Sequence, residues 1–369
     1  MPKILSRFLK SDEAKKRARR ITLFALLLVA VVDWWIVIED GASNARVITG
    51  IVASATLALE MFYPTRRRLL RRKRPGEIRS GGSERAGFGM SLPRKKILVF
   101  LVLTFGFSSI FLHPIISSGS LGKHVIGLMW CPGVAAIITQ LFFHRSLRGL
   151  GWKPGRGRYI LWAYALPVIY GIALYGITWL TGLGRFVPDQ ILQWAAERWH
   201  IQFASASMNV GIYAFAMATA GVLFSCLPAL GEEIGWRGFL VPELIKVTSF
   251  ARTALISGGI WAVWHYPAVF FADYGNPATP LWFNVIFFTA GVLGISFAMA
   301  WLRLRSGSLW PAVVLHASHN LFIQGIFTPL TADTGITAWV IGEFGAGLAI
   351  LLALTAWLFW RMRAEPAGH

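Results

Sequence analysis

Apolar residues in this chain come in long uninterrupted runs, and polar residues collect in the gaps between them. A run of about twenty residues is the length a helix needs to cross a hydrocarbon core, so each run predicts a membrane-spanning helix. Ten are predicted, at about 21–38, 47–63, 97–117, 124–143, 159–181, 207–240, 253–271, 281–302, 309–327 and 337–360. No strand-like alternation of apolar and polar residues stands out. The predicted fold class is therefore all-α, a polytopic transmembrane helix bundle. One stretch between the fifth and sixth runs breaks the pattern. From Val187 to Phe203, Trp194, Trp199, Ile201 and Phe203 interleave with Asp189, Glu197 and Arg198. It reads either as a short helix lying in the outer interface or as a connecting loop.

Composition agrees with the pattern. The 369 residues have a mean hydropathy of +0.56 and are 14% charged, against about 25% in a soluble domain. A net charge of +19 raises nucleic acid as a partner. The distribution argues against it, because the basic residues sit in the connectors. With the N-terminus in the cytoplasm and each run crossing once, 32 of the 36 Lys and Arg fall on the cytoplasmic side. Only Arg46, Lys123, Arg185 and Arg198 fall on the other. The positive-inside rule then predicts a cell-membrane protein with both termini cytoplasmic. Residues 1–63 form a basic start and an N-terminal two-helix hairpin, 64–96 a solvated basic linker drawn to anionic headgroups, 97–361 an eight-helix core, and 362–369 a tail. The first run could be a signal peptide. It is long for one and carries Asp33, Trp34 and Trp35, so a retained helix is predicted. Cys131 and Cys226 lie inside apolar runs and form neither a disulfide framework nor a CxxC metal pair.

Three of the runs carry chemistry. Glu232 and Glu233 stand together in the sixth, and an acid in a membrane helix costs about 2.5–3.5 kcal/mol on insertion scales, so it asks for a partner or a task. Glu233 and Arg237 are i and i+4 and can pair on one face. Glu232 lies about 100° further round, which leaves it as the candidate general base acting on water. The bland alternative is a solvated Glu-Glu-Arg cluster at a helix end. His265 sits near the middle of the seventh run, where a histidine is commonly a packing residue, but it has Glu232 on the preceding helix to share a water with. His316 and Asn320 are i, i+4 on the ninth run, two N–H donors suited to a developing oxyanion. An interhelical hydrogen-bond clamp explains them equally, and His319 beside them competes for the functional role. The chain has no HExxH, GxSxG or GxGD motif.

These residues resemble the CPBP family (CAAX protease and bacteriocin-processing, or Abi, proteins), in particular type II CAAX prenyl endopeptidases. The likeness rests on Glu232-Glu233-Ile234-Gly235-Trp236-Arg237-Gly238, on Trp261 to His265 and on Pro311 to Asn320, with weaker agreement at Met129 to Gly133 and Leu150-Gly151-Trp152. It covers about 97–361 and leaves the N-terminal hairpin outside. The resemblance implies an intramembrane endopeptidase in which Glu232 and His265 activate water, His316 and Asn320 stabilise the oxyanion, and Glu233 and Arg237 support the site. It implies a glutamate-type reaction with no cofactor, although Glu232, His265 and His316 could also supply the three ligands of a zinc site. The partners expected are the lipid bilayer and a membrane-associated peptide or protein, whether a prenylated CAAX tail, a leader or another membrane peptide. A non-catalytic scaffold or immunity factor is the main rival, and a proton-coupled transporter is third.

Overall fold

The computed structural model describes residues 91–199 and 205–363. The first two predicted runs, the linker up to residue 90 and the tail beyond residue 363 lie outside the described residues. Among the described residues, six helices are long and apolar enough to cross a membrane: Leu92–Ser118, Gly122–His144, Gly157–Leu180, Ala206–Leu244, Phe250–Phe271 and Leu281–Ser306. The chain is an all-α helical bundle of the integral membrane type. Among the described residues its only sheet is a two-residue antiparallel pair, β1 (Arg185–Phe186) with β2 (Thr331–Ala332).

Helix α1 (Leu92–Ser118) packs on α2 (Val125–His144), and α2 packs on α6 (Val222–Glu233). Helix α3 is Gly157–Leu180, and the mixed stretch contains α4 (Asp189–Trp199), which buries Ile191 and Ala195 beside Tyr213 and Leu321. A helix, not a plain loop, therefore occupies that stretch. Helices α5 (Ala206–Ala216), α6 and α7 (Val241–Leu244) join into one continuous 39-residue helical stretch through two π segments, Met217–Gly221 and Ile234–Leu240. Its first half turns Phe215, Leu223 and Phe224 outward, as suits a lipid-facing surface, whereas Ile234 to Val241 are buried. Helices α8 (Phe250–Phe271), α9 (Leu281–Ser306) and α10 (Trp310–Asn320) follow, with α10 set against α3 and α6.

Three predicted details change. The run 309–327 is α-helical only to Asn320 and then continues as a π segment, Leu321–Phe327. The run 337–360 is not one continuous helix. It splits into α11 (Thr337–Val340) and α12 (Ala346–Arg361). Ile341 is extended, Gly342 has φ +79°, and a Cβ on Gly345 would collide with the Ile341 and Val340 carbonyl oxygens. Irregular backbone of this kind survives in a membrane bundle where protein or a cavity satisfies it, and the Gly342 N–H donates to Tyr175 Oη at 3.2 Å. The third change is at Lys96, assigned above to the solvated linker. It is buried on α1 and paired with buried Glu243 at 3.1 Å, because the far end of the long helix brings it a counter-charge.

Two weakly matching stretches place the chemistry-bearing helices. Pro132 and Gly133 of α2 let α6 approach closely: a Cβ on Gly133 would lie 2.5 Å from Gly231 O, and one on Gly235 2.5 Å from Pro132 Cβ and 2.7 Å from its carbonyl. Backbone cannot yield as a flexible side chain does. Gly235→Ala is expected to destabilise the protein by about 1–3 kcal/mol through overpacking, read as a lowered unfolding midpoint in detergent. An unchanged midpoint would mean the two helices are not held at this distance. Leu150 to Trp152 tether the start of α10, with Leu309 N–H donating to Gly151 O at 2.8 Å and Trp310 Nε1–H to Trp152 O at 2.8 Å.

Candidate active site

Glu232, His265, His316 and Asn320 arrive from α6, α8 and α10 at one cavity of about 200 Å³. Glu233 and Arg237 do not line it. They lie fully buried behind it, so the two adjacent carboxylates have different surroundings.

Glu232 is 2% exposed, and its Oε2 accepts two indole N–H bonds, from Trp261 at 2.7 Å and Trp236 at 3.3 Å. Trp236 is i+4 from Glu232 and reaches it along the same helix; Trp261 comes from α8. Glu233 Oε1 accepts from Arg237 Nη1 at 2.8 Å and lies 3.0 Å from His316 Nδ1. The Arg237 Nη2 arm donates to Ser296 Oγ at 3.2 Å, and its guanidinium carbon lies 4.2 Å from the Trp261 ring centroid. Arg303 Nε caps the Arg237 carbonyl at 2.9 Å. One charged pair thus ties α6, α9 and α10 together.

His265 is held differently. Its Nδ1 lies 2.8 Å from the Trp261 carbonyl oxygen, which can only accept, so Nδ1 carries the hydrogen and Nε2 keeps a lone pair. The imidazole sits in an aromatic box of Trp261, Trp264, Tyr274 and Phe288, stacked on Tyr274 at 5.6 Å and 28°. For His316 the same reasoning has a consequence. An ionised Glu233 makes Nδ1 the donor, so His316 offers a second N–H at Nε2 only as the imidazolium.

Both π segments next to these groups begin directly after them, one following Glu233 and the other following Asn320. Such widened turns recur at functional sites because they re-aim the side chains of a helix. His319 lines the cavity too, but its Nδ1 is hydrogen-bonded with Tyr170 Oη and its Nε2 lies 3.7 Å from Glu343 Oε1.

The sequence reading missed several wall residues. Trp261 as a carboxylate ligand, Tyr274, Gln324 and Glu343 were not singled out, nor was Trp236, which holds Glu232 from behind the wall. For Glu343 a signal existed, since it is an acid inside a predicted span. As to metal, no three His, Cys, Asp or Glu side chains among the described residues converge as a metal site.

The family model for type II CAAX prenyl endopeptidase Rce1-like proteins matches residues 213–322, a segment that holds all six residues singled out above. A curated relative, CAAX prenyl protease 2 of Methanococcus maripaludis, is 28% identical over 131 residues, 34% of this chain and 47% of the relative. The chain thus spans about half the length of the curated relative it matches.

Proposed function

We propose that this CAAX protease-like chain is an intramembrane endopeptidase that hydrolyses a peptide bond near the cytoplasmic leaflet with a Glu232- and His265-activated water. The observation that carries the reading is the convergence of Glu232, His265, His316 and Asn320 on one cavity from three helices. A water between Glu232 and His265 Nε2 gives up a proton as its oxygen attacks the scissile carbonyl. Asn320 Nδ2–H and His316 Nε2–H stabilise the oxyanion, with Glu233 as counter-charge to the His316 imidazolium. The proton then passes to the leaving amine as the C–N bond breaks. Glu233 and Arg237 touch no reacting atom; they hold His316 and the helices.

The cavity is also lined by apolar side chains, Leu121, Leu128, Val292, Ile295 and Leu352 among them. It suits a peptide with a long apolar or lipidated side chain beside the scissile bond, in keeping with a relative named a CAAX prenyl protease. No step needs a metal. Detergent-purified protein is expected to cleave a prenylated CAAX-type peptide, to prefer it to the unprenylated one, and to keep its rate in chelator. His265→Ala should lower kcat by about 10²–10⁴-fold. Cleavage that survives His265→Ala undiminished, or that stops with chelator and returns with zinc, refutes this mechanism.

Both termini are proposed to be cytoplasmic. Single cysteines placed at residues 5 and 367 of a Cys131/Cys226-free protein should react with a membrane-impermeant maleimide only after the cells are opened. Labelling in intact cells would reverse the topology.

A further inference from the structure

We propose that Glu343 is a positioning residue of this site, anchoring Tyr274 so that the Tyr274 ring holds the His265 imidazole in its working orientation. The inference rests on the proposed role of His265. Glu343 stands in the break between α11 and α12, where extended Ile341 and positive-φ Gly342 interrupt a predicted span and bring Glu343 to the cavity wall. Its Oε2 accepts from Tyr274 Oη at 3.1 Å and its Oε1 from Gln324 Nε2. His319, itself bonded with Tyr170 on α3, faces the same Oε1. Glu343 is therefore the hub of a polar network joining α3, α10, its π extension and the loop after α8.

Tyr274 is the member that reaches the chemistry. It lies beyond the end of α8 at Phe271, so no helix fixes its backbone. Its placement depends on the phenol bond to Glu343 and on ring contacts with Phe288 and Phe344. Its face lies against His265 as the one stacked ring, the imidazole being held otherwise by edge contacts with the Trp261, Trp264 and Phe288 rings and by the Nδ1 bond to the Trp261 carbonyl. Releasing Tyr274 frees the imidazole to turn about that bond and moves Nε2 from the water. A misplacement of about 1 Å can lower a rate on the order of 10²-fold.

The test compares Glu343→Ala, Glu343→Gln and Tyr274→Phe, with the Glu343→Ala/Tyr274→Phe double variant. Glu343→Ala and Tyr274→Phe should each lower kcat about 10–100-fold, with KM within about twofold. The double variant should fall no further. Glu343→Gln should recover most of the rate, because its amide oxygen still accepts from Tyr274. A rise in KM with kcat kept would make Glu343 a substrate contact and overturn the proposal. So would additive losses, or a Glu343→Gln as slow as Glu343→Ala.

A second readout does not need turnover. In protein with ¹³C-labelled histidine, the His265 ring resonance, assigned by its loss in His265→Ala, should move alike in Glu343→Ala and Tyr274→Phe and stay in Glu343→Gln. If wild type cleaves no peptide, the endopeptidase reading fails, while the link from Glu343 to His265 is still decided by this resonance. An unmoved resonance overturns the link.

Discussion

Glu232→Gln should leave a folded, peptide-binding protein whose kcat is lower by about 10³-fold or more, within the range general base catalysis contributes. The glutamine carbonyl still accepts the Trp261 and Trp236 indole N–H groups that Glu232 Oε2 accepts. Basicity and charge are what it removes. Glu232→Ala is a harsher change, because it strands two buried indole donors at a cost of about 1–3 kcal/mol each. The pair separates the two contributions. In a detergent cleavage assay with parallel thermal unfolding, Glu232→Gln should lose rate at near wild-type stability, and Glu232→Ala should lose both. A Glu232→Gln protein within tenfold of wild-type kcat would rule out Glu232 as the base.

Arg237→Met is expected to destabilise the protein by about 3–5 kcal/mol, the effect of removing one partner from a buried ion pair. The guanidinium is fully buried and makes three interactions at once, with the Glu233 carboxylate, the Ser296 hydroxyl and the Trp261 ring. Glu233 is left behind without its permanent cation, keeping only the His316 Nδ1 contact at the same oxygen. Adding Glu233→Gln to Arg237→Met should therefore restore part of the stability, since it removes the stranded charge. Arg237→Lys should rescue incompletely, because one ammonium cannot reproduce the two separate arms at Glu233 and Ser296. Chemical unfolding in detergent is the measurement. Equal midpoints for wild type and Arg237→Met would show that the pair contributes nothing net.

Much of the site could be read from the chain because its chemistry is locally encoded. Polar and ionisable residues inside apolar runs mark Glu232, Glu233, His265, His316 and Asn320 without any structure. The Glu233–Arg237 pair follows from a spacing of four residues on a helix. The mixed stretch 187–203 was ambiguous, since an amphipathic pattern only eleven residues long leaves helix and loop close in energy. Burial of Ile191 and Ala195 against neighbouring helices decides it.

The same reading failed at 337–360, where hydropathy counts apolar residues and is insensitive to a backbone break at Ile341–Gly345. It failed at Lys96, whose partner Glu243 is 147 residues away. Within the six-residue constellation, local spacing separates Glu232 from Glu233 but not what surrounds each. Trp261 reaches Glu232 across 29 residues and His316 reaches Glu233 across 83.

The sequence by itself determined the helical membrane bundle, the three chemistry-bearing segments and the Glu233–Arg237 pair, because length, hydrophobicity and i, i+4 geometry act within one helix. Only the tertiary structure decided that Glu232 faces the cavity under two indoles and that Glu233 is shared by Arg237 and His316. It alone placed His265 against Tyr274 and turned Glu343 inward at a broken helix. Each of these depends on which helices pack together, and packing joins residues whose separation along the chain carries no periodic signal.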